Sequence, residues 1–307
     1  MELSAESNES DHKMARAHGG QIMRLNARTS EKIAFALLSL SASIVAGFVL
    51  IMLSYIIYNG YSAINFGFLT EVPTNMMTEG GIYPAIVGTL ILIVGSMAVA
   101  LPMGIMAAIY LNEYAGENRT TWIIEMAINN LAGTPSVVFG LFGMALFVNY
   151  FNFGPSVLAA SLTLSLLILP VIIRASEEAL ITVPNEYRES SLALGVSKWQ
   201  TIRYVVLPAA IPGIVTGSIL SIGRVAGETA PILLTGAAYF LPRLPDSIYS
   251  QFMALPYHLF VLATAGTHVA KTRPLQYGTA LVLLAIVLGL DIIAVLIRRH
   301  YRQKLKI

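Results

Sequence analysis

Arginine and glutamate stand four residues apart, at Arg224 and Glu228, in the otherwise apolar run GRVAGETAP at 223–231. Four residues is about one helical turn, so on a continuous helix the two side chains share a face. Counted from a helix start near Ala209, Arg224 lies about 22 Å along the axis, near or past the middle of a bilayer. An ionisable side chain at that depth costs about 2.5–3.5 kcal/mol even on the milder scales, so such groups face a bundle interior or a water-filled path. Two chemistries fit. The pair could neutralise itself, within the chain or across a subunit interface, and fix helix packing. Alternatively the guanidinium, a planar fork that matches phosphate oxygens bidentately, could contact a passing anion while Glu228 positions it and limits how tightly the anion is held. The charge pattern leaves both open. Gly223 and Gly227, also four apart, would let another helix approach closely in either case.

A second constellation is the polar stretch 178–208, EALITVPNEYRESSLALGVSKWQTIRYVVLP, held between two apolar runs. Pro184 suits the first turn of a helix running to Leu194, and Gly195 suits the left-handed position that ends one. Ser197-Lys198-Trp199-Gln200 has the S-x-x-Q form of a capping box opening a second helix, and Pro208 marks the return to the membrane. A passive connection needs only a handful of residues, so a folded stretch of this length is expected to be a docking surface. Enzymatic chemistry has little to work with elsewhere. The chain has no cysteine, which excludes disulfides and thiolate metal sites. Its five histidines (His12, His18, His258, His268, His300) are scattered, without a partner at metal-ligand spacing. No nucleophile–base pair stands out, and no G-x-x-x-x-G-K-[ST] phosphate loop is present. Energy from ATP would have to come from a separate chain.

Composition fixes the elements that must position these residues. The 307 residues are 56% hydrophobic and 12% charged, with a mean hydropathy of +0.70. Soluble domains carry about a quarter charged residues, so this is an integral membrane protein. Apolar runs at 33–58, 82–111, 123–150, 156–173, 209–238 and 277–297 predict six transmembrane helices. With no water to satisfy its backbone in the bilayer, the chain is expected to be an all-α polytopic bundle. The first run is too long for a cleavable signal and follows about 30 polar residues. Residues 1–29 are polar and aperiodic and are expected to be a disordered tail. Residues 30–307 then form one transmembrane domain. The segment 252–265, FMALPYHLFVLATA, is too short to span. It predicts a surface or re-entrant helix within an external loop at 239–276.

Basic residues give the orientation. They cluster at Lys13, Arg16, Arg24, Arg28 and Lys32 in the first tail, and at Arg298, Arg299, Arg302, Lys304 and Lys306 in the last. Arg119 follows the second run, and Arg174, Arg188, Lys198 and Arg203 mark the polar stretch. Loops 59–81 and 151–155 have none, while 239–276 holds Arg243, Lys271 and Arg273. Positive-inside logic therefore expects both termini and the 178–208 stretch in the cytoplasm.

Glu189-Ser190-Ser191, with Gly195 six positions after Glu189 and Leu207-Pro208 beyond, resembles the EAA signature of ABC importer permeases. Serine stands where that family has its third-position alanine, a small-for-small change. The resemblance implies a type I ABC importer permease fold. It also implies that Glu189, Ser190, Ser191, Leu192, Ala193, Leu194 and Gly195 belong to a coupling helix seated in a groove of an ATP-binding subunit. The runs LALGVSKWQTIRYVVLPAAIPGIVTG at 192–217 and RVAGETAP at 224–231 are similar to the PstA-type permeases of phosphate-specific importers. So are LAGTPSVVFGLFG at 131–143, MALPYHLFVLAT at 253–264 and RPLQYGTALVLLAIVLG at 273–289. The related partner permease carries GETM where this chain has GETAP. The similarity covers residues 33–307.

The resemblance implies a multi-pass protein of a prokaryotic inner membrane that imports phosphate by alternating access. Its partners would be a second, PstC-like permease, two PstB-like ATPase chains and an external PstS-like phosphate-binding protein. No cofactor is expected on this chain, ATP and Mg belonging to the ATPase, and no nucleic-acid partner is expected. Arg224, Glu228 and Thr229 would line the substrate path, and the Pro-rich loop 239–276 would help receive the binding protein. Two alternatives remain. One is a permease for another oxyanion, sulfate or phosphonate, or for an organic solute. The other is an ATP-independent channel or ion-coupled transporter, for which paired repeats with broken midplane helices would be expected; no such pair is visible in the sequence.

Overall fold

The computed structural model describes residues 27–116, 118–265 and 269–304. Two compact units divide at residue 55. The first is the apolar body of helix α1 (Ala27–Gly60). Helix formation thus begins inside the tail expected at 1–29, the rest of which lies outside the described residues.

The second unit, from residue 56, holds the remaining elements. A short helix α2 (Phe66–Thr70) and a two-residue antiparallel ladder, β1 (Pro73–Thr74) on β2 (Glu79–Gly80), precede helix α3 (Tyr83–Ile109). A π-helical turn, Tyr110–Tyr114, prolongs α3. Then come α4 (Arg119–Ala132), α5 (Ser136–Gly143, prolonged by a π-helical turn to Tyr150) and α6 (Val157–Ile181). Helices α7 (Asn185–Ala193) and α8 (Lys198–Thr201) form the polar loop. A π-helical turn, Ile202–Val206, joins α8 to α9 (Leu207–Gly227). The chain closes with α10 (Ala230–Thr235), α11 (Leu255–Thr264) and α12 (Val269–Lys304).

Among the described residues five helices are long and apolar enough to cross a bilayer, and α4 with α5 makes a sixth only as a pair bent by 104°. The expected straight span at 123–150 is therefore corrected. Gly133, Thr134 and Pro135 interrupt it, because Pro135 cannot donate into a continuing helix and disfavours a helical residue before it. The fifth span is displaced too. It runs unbroken from Lys198 to Gly227, straight through Pro208, and stops well short of residue 238. The widened π-helical turn just before Pro208 relaxes the register that proline would otherwise break.

Helix α6 is the axis of the bundle. Ala159, Ala160, Leu164, Ile168 and Leu180 along it are fully buried. Its neighbours approach through glycines. A β-carbon at Gly95 or Gly104 of α3, or at Gly213 of α9, would stand 2.6 Å from Ser161, Ile172 or Ala179 of α6. At Gly143 of α5 and Gly217 of α9 it would run into Thr163 and Ala175. Lipid tails are as apolar as leucine, so helices associate in membranes through this close fit rather than through water exclusion.

One end of the unit gathers residues 61–82, 151–156 and 236–265. There Ser156 N–H donates to Thr235 O at 3.0 Å, Val157 N–H to Ser250 O at 3.0 Å and Ala238 N–H to Phe252 O at 2.7 Å. The segment before α11 is not superficial. Phe252, Met253, Ala254 and Leu255 are buried, and Leu255 N–H donates to Thr89 Oγ1 at 2.8 Å. Helix α11 thus docks by its buried face, correcting the surface alternative, while its short length bears out that it does not span.

His258 of α11 is 4% exposed, and its Nδ1 has no hydrogen-bond partner among the described residues. Burial pushes its pKa from the usual 6.5 down to about 4. The unfolded chain takes up this proton near 6.5, the folded one only near 4. The stability associated with the neutral ring is therefore complete above pH 6.5 and is lost as pH falls toward 4. The full effect is on the order of 3 kcal/mol. A His258→Gln variant should show a shallower fall in thermal midpoint than the parent between about pH 7 and pH 4.5. Equal slopes would contradict a neutral buried imidazole.

Candidate functional site

The polar loop folds as its local sequence dictates. Pro184 precedes α7, and Gly195 takes a left-handed φ of +80° beyond its end. Ser197 and Gln200 form the reciprocal capping box at the start of α8. Glu189, Ser190, Leu192, Ala193, Leu194 and Gly195 are all exposed. Ser191 is not: its Oγ lies 2.9 Å from Thr201 Oγ1 and is buried, so it pins α7 to α8 instead of facing outward. Tyr187, Leu192, Leu194, Trp199 and Tyr204 add an apolar contact surface, Leu194 being 84% exposed. The aromatic members of that set were not singled out in the sequence. Their signal is an unshielded aromatic in a stretch too polar to be membrane core.

Behind this surface the loop is fastened to the bundle by Arg188. Its Nη2 lies 2.7 Å from Glu113 Oε1 and its Nε 3.0 Å from the same oxygen. It also donates from Nη1 to Val183 O at 2.8 Å and from Nη2 to Leu180 O at 2.9 Å. Lys198 sits over the Tyr114 ring, 5.0 Å from its centroid. Nearby, Arg174 donates to Asn129 Oδ1 at 2.9 Å and pairs with Glu177 at 2.8 Å, tying α6 to α4. Neither the Glu113 nor the Asn129 partnership was predicted, since each joins residues far apart in the chain.

Arg224 is differently placed. It occupies the last turn of α9, and the helix ends at Gly227. Glu228 is extended (φ −73°, ψ 131°), so the pair does not share a continuous helical face as the four-residue spacing predicts. The two still meet, Nε to Oε1 at 3.6 Å, with side chains 34% and 17% exposed. That distance is an ion pair without a hydrogen bond. Among the described residues Arg224 has no other polar partner, so both Nη groups keep their donors free. Thr229 caps the break, and its carbonyl accepts from Leu233 N–H at 3.1 Å. Of the two glycines, Gly223 is only in ordinary contact range of Val287 and Gly227 has open space around its α-carbon, so neither is a close helix crossing.

The break at Glu228–Thr229 lies against the other interrupted span. A β-carbon on Gly140 of α5 would stand 2.9 Å from Pro231 Cα of α10. The body of α5 and the start of α10, distant in sequence, thus pack together beside the end of α9. The apolar residues flanking each break hide it from a hydropathy reading.

Residues 100–307 match the model of the binding-protein-dependent transport system inner membrane component family. This chain belongs to that family. Among curated proteins it is 34% identical over 282 residues to the "Probable ABC transporter permease protein YqgI" of Bacillus subtilis (strain 168), covering 88% of this chain and 95% of the other. It is 41% identical over 220 residues to the "Phosphate transport system permease protein PstA 1" of Mycobacterium tuberculosis (strain ATCC 25618 / H37Rv), covering 71% of this chain and 70% of that one. Among solved structures, a bacterial ABC transporter involved in alginate import superposes with a TM-score of 0.64 at 14% identity, over 88% of this chain and 96% of that one. The MetNI methionine ABC transporter gives 0.55 at 17% identity, over 72% and 94%. This binding-protein-dependent permease is therefore an ABC importer component, a multi-pass inner-membrane protein with the type I importer permease fold.

Within the permease, Gly195 has no neighbour near enough to obstruct a β-carbon, so the left-handed backbone is what restricts it. Gly195→Val should cost about 1–2 kcal/mol locally, whereas Gly195→Asn, which tolerates that conformation, should cost less. Tryptic cleavage at Arg188, Lys198 and Arg203 should accelerate several-fold in the valine variant only. Equal protection of both variants would refute the turn's role.

Proposed function

We propose that this permease is the PstA-type subunit of a phosphate importer and moves inorganic phosphate into the cytoplasm by alternating access. The cargo assignment draws on its relatives that are described as phosphate transport permeases. The observation within the chain that carries the chemistry is the contrast between its arginines. Arg174 and Arg188 have their donors engaged by carboxylate, amide or carbonyl oxygens. Arg224 is held only loosely by Glu228, at the non-helical step between α9 and α10. Non-helical backbone at membrane depth persists where protein buries it or where it lines a water-filled cavity. A planar cation with free donors at such a step suits an oxyanion in transit, with Glu228 keeping the hold weak enough for release.

In this reading residues 1–29 are a cytoplasmic tail and 30–307 one transmembrane domain, with both termini inside. The exposed face of 178–208 docks on a PstB-like ATPase that supplies ATP and Mg, beside a PstC-like permease. One solved relative of this fold is an alginate transporter in complex with a pentasaccharide-bound periplasmic protein. By analogy, the end bearing loop 239–276 would receive a PstS-like phosphate-binding protein.

The test is a reconstituted complex assayed for ATP hydrolysis and uptake with phosphate, sulfate and phosphonate, each with its binding protein. Phosphate alone should stimulate both activities. Arg224→Gln should lower phosphate uptake by about 10–100-fold, the loss expected for a charged hydrogen-bond partner, without dispersing the complex. Undiminished uptake would leave Arg224 as a packing ion pair, and stimulation by sulfate would move the cargo assignment to another oxyanion. Uptake without any ATPase would favour a channel.

A further inference from the structure

We propose that the part-buried ion pair Glu113–Arg188 is a link through which displacement of α7 reaches membrane helix α3; this rests on the proposed ATP-driven function. Helix α7 is isolated along the chain. Thr182–Pro184 separates it from α6, and the left-handed turn at Gly195 separates it from α8. Helix α8, by contrast, runs directly into α9 and needs no lateral fastening to move it. A push on the exposed face of α7 can therefore enter the bundle only sideways.

The sideways contacts lead two ways: α7 packs on the turn 202–206 and on α8, toward α9, and its polar contacts at Arg188 lead toward α3. Ser191 joins α7 to Thr201 of α8. Of the hydrogen-bonded contacts Arg188 makes more, because a single guanidinium gathers Glu113 Oε1, Leu180 O and Val183 O. Its carboxylate partner is 6% exposed, so neither solvent nor another cation substitutes for it readily. Glu113 also accepts from Asn112 Nδ2 at 3.0 Å. It sits in the π-helical turn 110–114, whose Tyr114 receives Lys198 of α8. Both halves of the loop thus grip the same turn. The apolar seat beneath them, Ala108, Ile109, Leu180, Val183, Ile202 and Val206, is closed and buried.

What lies beyond Glu113 makes the link consequential. Helix α3 with its π-helical turn is one 32-residue span. At its far end, about 36 Å away by helical rise, Thr89 accepts the N–H of Leu255, and Gly88 lies against the backbone of Met253. A shift entering at Glu113 is thereby carried to the segment that seats α11 on the opposite end of the bundle.

The test uses the whole reconstituted complex and reads phosphate moved per ATP hydrolysed. Glu113→Gln, Arg188→Gln and the double variant should each lower that ratio by about fivefold or more, the double being no worse than the stronger single. The native chain has no cysteine, so a Glu113→Cys/Arg188→Cys variant, assembled with cysteine-free versions of its partner subunits, introduces a unique thiol pair. Bridging it with a short bis-methanethiosulfonate should restore the ratio, and dithiothreitol should remove it again. A mere brace for folding would lower the amount of complex without this reversible change in ratio. Parental ratios in the glutamine variants, or a ratio indifferent to bridging, would overturn the link. A parental complex that hydrolyses ATP without uptake would overturn the functional reading as well, which separates the two failures.

Discussion

The closeness of backbones around α6 is the constraint on which the other features depend. In water, burying apolar side chains would hold such a bundle together; between lipid tails that force is absent. Attraction then comes from dispersion, which falls away within an ångström of lost contact. Glycines of α3, α5 and α9 admit that contact by offering hydrogen where any other residue would offer carbon. Because the fit is that close, the neighbours of α6 are held in fixed register. The fixed register is what brings Gly140 to Pro231 and Glu113 to Arg188.

Polar groups inside this frame divide by how completely they are satisfied. Arg174 and Arg188 sit near one end, where carbonyls, an amide and carboxylates saturate them. At Arg188, whose partner Glu113 is 6% exposed, removing one member leaves the other charge largely uncompensated, which costs more than the pair contributes in place. These arginines therefore act as fasteners. Arg224 stands where α9 stops, and among the described residues only one loosely placed carboxylate pairs with it. The same residue type serves fixation in one setting and remains available in the other, and the environment alone makes the difference.

The sequence made legible whatever depends on near neighbours. The left-handed Gly195, the capping box at Ser197 and Gln200, and five of the membrane helices are set by residues within a turn or two of one another. Hydropathy failed where apolar residues continue past a backbone break, as at Pro135 and at Glu228–Thr229. It failed in the opposite sense at Pro208, where a proline suggested a boundary and a π-helical turn absorbed it. Partnerships such as Arg188 with Glu113, 75 residues apart, leave no local trace. Ser191 is instructive because the resemblance grouped it with an outward-facing surface, whereas helical periodicity turns it inward toward Thr201.

Continuity through Pro208 has a mechanical consequence. From Lys198 to Gly227 the chain is one 30-residue rod, with exposed Trp199 near one tip and Arg224 near the other. At the usual rise these two residues are about 37 Å apart, so pivoting the rod by about 5° sweeps one tip sideways by about 3 Å relative to the other. That is the difference between a hydrogen bond and none. The rod thus has the geometry of a lever, with Trp199 in the polar loop at one tip and the guanidinium paired with Glu228 at the other.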